Sequence, residues 1–183
     1  MRLFIAVPLP EEPDRLVRSR LGRLRSLDWP VRWIKDEGLH LTLKFFGEVT
    51  SDRYESLVEL LDLATQGTGP MVLTLDGIGA FPSAERPRVL HWGVQAGPDC
   101  ELLQDRLERG GERLGFPPEG RPFRPHVTLG RVREGHRLPS GWWDQVGTDA
   151  PPTPFLADRV CLYESQLGPG GPVYTARREV RLG

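Results

Sequence analysis

The sequence predicts an α+β fold: a bilobal, pseudo-two-fold duplication in which two mainly antiparallel sheets, with helices outside, surround a central cleft. Three observations lead there. Apolar β-prone segments come in adjacent pairs separated by amphipathic helices, the pattern of antiparallel rather than doubly wound sheets. His40-Leu41-Thr42-Leu43 is echoed by His126-Val127-Thr128-Leu129, although the chain has only four histidines. The two units begin 86 residues apart (126 minus 40) in a chain of 183, near half its length, as an internal duplication requires. The expectation is one domain spanning residues 1–183, with one motif strand contributed by each lobe.

The elements follow in order. Residues 2–8 are apolar and end at Pro8, as a buried strand does. Residues 11–28 read as a helix, with Pro13 in its first turn and Val17, Leu21, Leu24 and Leu27 near helical period. Residues 31–35 alternate like a strand, Asp36-Glu37-Gly38 turns, and residues 39–46 carry the first motif. Asp52 and Glu55 start a second helix bearing Leu57, Leu60, Leu61 and Ala64. Strands follow at 71–78 and 88–95, then a third helix at 98–115 that Gly110-Gly111 should weaken. The second motif strand is 126–132. Residues 133–154 read as a surface excursion, with Trp142-Trp143 as a loop anchor. Strands 155–166 and 172–181 flank the turn Gly168-Pro169-Gly170-Gly171.

Composition narrows the function. A net charge of −1 excludes a strong global basic field, so any nucleic-acid contact must use a local patch and a short piece or an end. Cys100 and Cys161 have no ligand-like spacing and read as free thiols of a reducing compartment. No stretch is long and apolar enough for a membrane span, and the N-terminal apolar run is too short for a signal peptide; a cytoplasmic monomer is expected.

Alternation along each motif strand puts His and Thr on one face and the two apolar residues on the other. Two imidazoles can divide acid and base duties near neutral pH. Two hydroxyls can donate to the non-bridging oxygens of a phosphate. Such a two-fold site suits in-line displacement at phosphorus and needs no cofactor; no metal-ligand pattern occurs. Strict alternation also puts Lys44 beside His40 and Thr42 as a candidate phosphate or RNA contact. It puts Arg131 on the far face from His126 unless Gly130 permits a bulge. His91, without a partner in sequence, reads as a packing or surface histidine.

His40-Leu41-Thr42-Leu43-Lys44-Phe45-Phe46-Gly47-Glu48-Val49 resembles the first signature of the 2H phosphoesterases. Residues Arg121 to Val132, which include Pro125-His126-Val127-Thr128-Leu129-Gly130-Arg131, resemble the second. Within that superfamily the chain is similar to the bacterial and archaeal RNA 2′,3′-cyclic phosphodiesterases of the 2′-5′ RNA ligase family. Arg2-Leu3-Phe4-Ile5-Ala6, Phe81-Pro82, Pro87-Arg88-Val89-Leu90 and Leu167 to Tyr174 support the likeness over the whole length. The resemblance implies a metal-independent hydrolase that opens a terminal 2′,3′-cyclic phosphate on RNA, tRNA fragments among them, or on a small cyclic nucleotide, to a 2′-phosphate. It implies His40 as general acid, His126 as general base, and Thr42 and Thr128 as phosphate ligands, with Arg131 matching an arginine after the second motif. The alternatives are 2′-5′ RNA ligation, a cyclic phosphodiesterase acting on another nucleotide, and a non-catalytic binder of RNA ends.

Overall fold

The computed structural model describes residues 1–147, 150–168 and 171–183. Two of the four residues of the expected turn at 168–171 therefore lie outside the described residues. The strands are β1 (Arg2–Pro8), β2 (Val31–Trp33), β3 (His40–Glu48), β4 (Met71–Phe81), β5 (Val89–Ala96), β6 (His126–Val132), β7 (Thr153–Ala157), β8 (Arg159–Gly168) and β9 (Gly171–Arg181). The helices are α1 (Glu11–Arg25), α2 (Tyr54–Thr65), α3 (Pro98–Arg113) and the single turn α4 (Trp142–Gln145). Each expected element has a counterpart, with one division. The apolar run 155–166 breaks at Asp158 into β7 and β8, which pair with strands at opposite ends of the sheet.

Every strand pairing among the described residues is antiparallel. The order is β7-β4-β5-β6-β3-β1-β8-β9, with β2 also on β6. One group, β9-β8-β1-β3, holds the first motif, and the other, β7-β4-β5-β6 with β2, holds the second. The two groups meet at a single register pair, Leu41 opposite Val127, and this bridge joins them into one curled sheet.

Leu3, Ile5 and Val7 of β1, Leu41 and Leu43 of β3, and Val127 and Leu129 of β6 are buried with Leu57, Leu61, Leu103 and Leu107 of α2 and α3. The apolar stripes of these helices thus cover one face of the sheet. Burial of each such side chain contributes about 1.5–3 kcal/mol. As expected, α3 runs through Gly110 and Gly111; both are buried, and Gly110 lies against Leu60 of α2. Trp142 is the anchor of the excursion: it is buried, and its indole N–H donates to the Ala84 carbonyl at 3.1 Å. No described helix is long and apolar enough to cross a membrane.

Candidate active site

The Leu41–Val127 bridge determines what the motifs present. Both residues are fully buried, so their neighbours emerge on the face away from the helices. Antiparallel register sets His40 across from Thr128 and Thr42 across from His126 one step out from the bridge. Cβ atoms of directly opposed residues lie about 4.5–5.5 Å apart. All four side chains are half-buried rather than sealed.

Each imidazole is seated by its own lobe. His40 packs edge-on against Tyr174 (centroids 5.1 Å) and lies beside Phe4 (4.7 Å) and Tyr163 (6.1 Å). His126 lies edge-on to Phe81 at 5.0 Å. Its Nδ1 is 2.8 Å from the Arg124 carbonyl, which can only accept, so the proton resides on Nδ1 and the Nε2 lone pair is free. His40 is likewise backed by the residue two before it, through the Gly38 backbone.

These seats disfavour the charged rings. Burial pushes His40 down to about 4; the Gly38 backbone opposes this and the nearby His126 adds to it. His126 is also held below the usual histidine value, first by burial, against the pull of the Arg124 carbonyl, and then by the charge of Arg131. In the free protein near pH 7 both imidazoles are therefore neutral.

Alternation breaks down just after the threonine in both motif strands. On β3 the register slips between the Ile5–Lys44 and Ala6–Thr42 pairs, leaving Leu43 as an extra residue. On β6 it slips between Leu90–Gly130 and His91–Thr128, leaving Leu129 as the extra residue. Such a bulge turns the side chains that directly follow it to the other face. The consequence corrects the expectation for Lys44. It shares no face with His40 and Thr42: it is 3% exposed, and its ammonium pairs with Glu108 of α3 at 2.6 Å and donates to the Pro117 carbonyl at 2.9 Å. The matching bulge brings Arg131 onto the open face near His126. Phe45, at the equivalent place on β3, is also exposed, with the Arg2 guanidinium 5.0 Å from its ring centre.

His91 packs, as the sequence reading expects, but it does so beside His126. It pairs with Thr128 across β5 and β6, stacks on Phe81 at 4.1 Å and lies 5.3 Å from His126. Its Nδ1 is buried without a partner among the described residues, and burial, then His126, push its pKa down to about 4. Opposite it stands Gly79, where an added Cβ would lie 2.6 Å from the His91 ring. A glycine one strand over from a histidine was the available signal. No group of three or more potential metal ligands occurs among the described residues.

Two imidazoles and two hydroxyls on adjoining strands, seated on this sheet, define a site of the 2H phosphoesterase kind. The model of the 2′-5′ RNA ligase superfamily matches residues 13–169, and the chain belongs to that family. A Thermotoga maritima protein named RNA 2′,3′-cyclic phosphodiesterase is 32% identical over 183 residues, covering 100% of this chain and 96% of the relative. Among solved structures, TT0787 of Thermus thermophilus superposes with a TM-score of 0.81 at 29% identity, over 100% of this chain and 98% of that one. E. coli LigT complexed with 3′-AMP gives 0.71 at 28% identity, over 99% and 97%.

Proposed function

We propose that this chain hydrolyses the terminal 2′,3′-cyclic phosphate of RNA to a 2′-phosphate by two-histidine acid–base catalysis without a metal. The family and the shared name of its full-length relatives support an enzyme of the RNA 2′,3′-cyclic phosphodiesterase type. The observation that carries the mechanism is the Leu41–Val127 bridge, which brings both His-x-Thr pairs to one face.

His126 takes the water proton on Nε2, the nitrogen that the Arg124 carbonyl leaves free; burial, helped by the charge of Arg131, keeps that ring neutral beforehand. The water oxygen bonds to phosphorus as the bond to O3′ breaks. His40 protonates the departing O3′, its cationic form favoured once the phosphate's negative charge lies beside it. Thr42 and Thr128 donate to the non-bridging oxygens, where charge builds in the transition state. Ligation would run the same path forward with an RNA 5′-hydroxyl in place of water: its oxygen bonds to phosphorus as the bond to O3′ breaks, leaving a 2′-5′ diester and a free 3′-hydroxyl. The neutral, desolvated pair of imidazoles argues against a pure receptor, for which a cationic group would serve better.

Incubation with 2′,3′-cyclic AMP in the presence of a chelator tests this reading. It predicts 2′-AMP as product with undiminished rate. A 3′-monophosphate, or loss of activity on chelation, would overturn the assignment.

A further inference from the structure

Arg32 of β2 stands directly opposite Arg131 of β6. Directly opposed residues share a face, and both arginines are exposed. Like charges facing each other across antiparallel strands are destabilising. Several other arginines sit beside carboxylates, as in Arg18–Asp14, Arg25–Asp36 and Arg178–Asp62. Among the described residues no carboxylate pairs with Arg32 or Arg131. With a net charge of −1, the protein is not basic enough for this juxtaposition to reflect a general excess of cations.

The arrangement is built. Gly130 lets β2 dock on the bulge of β6, since a Cβ there would lie 2.6 Å from Val31 and 2.8 Å from Trp33. The bulge then turns Arg131 toward the open face. Arg131 is three residues beyond Thr128 on the same strand, roughly 10 Å away at about 3.3 Å per residue. Its charge reaches both His126 and Tyr174, so it lies at the margin of the cleft, with Arg32 beside it on the outer side. Guanidinium forks bind phosphate oxygens bidentately, and a diester held between two of them would relieve their repulsion.

We propose that Arg32 and Arg131 form a second phosphate subsite, which takes the phosphodiester on the 5′ side of the terminal nucleotide. The preferred substrate is then an RNA end at least two nucleotides long rather than a cyclic mononucleotide. This rests on the reading of the two His-x-Thr pairs as the cyclic-phosphate site.

The test compares kcat/KM for a dinucleotide ending in a 2′,3′-cyclic phosphate with that for 2′,3′-cyclic AMP, in the native protein and in Arg32→Gln. The native protein should prefer the dinucleotide at least ten-fold, mainly through KM, and the preference should weaken as salt rises. In Arg32→Gln the ratio should collapse toward one while Tm holds or rises, because a repulsion is removed. Equal native rates on both substrates, a ratio that survives the substitution, or a fall in Tm would overturn the subsite alone. Failure of the native protein to hydrolyse either substrate would instead overturn the cyclic-phosphodiesterase reading on which it rests.

Discussion

Leu41 lies directly opposite Val127, and this pair alone, among the described residues, registers β3 against β6. Because both side chains are sealed in the core, the histidine and threonine on either side of each must face the cleft. A one-residue slip would reverse both faces at once, burying the polar groups and exposing the leucine and valine. The register of the chemistry is thus fixed by the hydrophobic core beneath it.

The threonine hydroxyls should act in the transition state more than in binding. Thr42→Ala and Thr128→Ala are each expected to cost about 2–4 kcal/mol, read chiefly in kcat. Steady-state kinetics on 2′,3′-cyclic AMP check this; a pure KM effect would assign the hydroxyls to uniform binding.

The pH profile follows from the direction of the histidine shifts. Catalysis needs His40 protonated and His126 neutral, and both pKa values are depressed in the free protein, His40 to about 4. The profile of kcat/KM, which reports the free enzyme, should therefore peak below pH 6.5 and fall toward alkaline pH. Bound phosphate raises both values, so the kcat profile should be displaced to higher pH. Coincident profiles with optima above pH 7 would contradict this.

His91 and Gly79 should be coupled. In Gly79→Ala the new methyl displaces the His91 ring, which packs beside His126. A drop in kcat is expected, with a shifted acid limb of the profile. Stability should respond as well. His40 and His91 prefer the neutral form when folded, whereas an unfolded imidazole takes its proton near pH 6.5. The unfolded chain then binds more protons between about pH 6.5 and 4, so stability is lost as pH falls through that window. Thermal melts should show this decline, and His91→Phe should make it shallower; an unchanged slope would remove His91 from the account.

Lys44 should matter to folding and little to substrate. Its ammonium is sealed against Glu108, which also accepts from the Glu119 backbone N–H at 3.1 Å. Removing one partner of a buried pair typically costs about 3–5 kcal/mol. Lys44→Ala should fall in that range by denaturant unfolding; an intact Tm with raised KM would restore it as a substrate contact.

Much of this was legible in the sequence because it depends on period. The echo of His40-Leu41-Thr42-Leu43 at residue 126 gave two strands, a shared face and four polar groups, and the helical stripes gave α1 to α3. What was hidden lay where period fails. Leu43 and Leu129 are each an extra residue in a ladder, a feature their own side chains do not announce. They send Lys44 inward and Arg131 outward from positions that alternation assigns the other way. That His91 packs beside His126 was hidden because its neighbours, Phe81, Thr128 and His126, come from other strands. The break at Asp158 was concealed by apolar residues on both sides of it, which serve strands at opposite ends of the sheet.

The most direct measurement compares His40→Ala, His126→Ala and the double variant in single-turnover hydrolysis of a 2′,3′-cyclic phosphate. If both rings act on one phosphorus, each single variant should lose about 10²–10⁴-fold while remaining folded, and the double variant should be scarcely slower than the worse single. Losses that multiply in the double variant, or near-native hydrolysis in either single, would contradict a shared site.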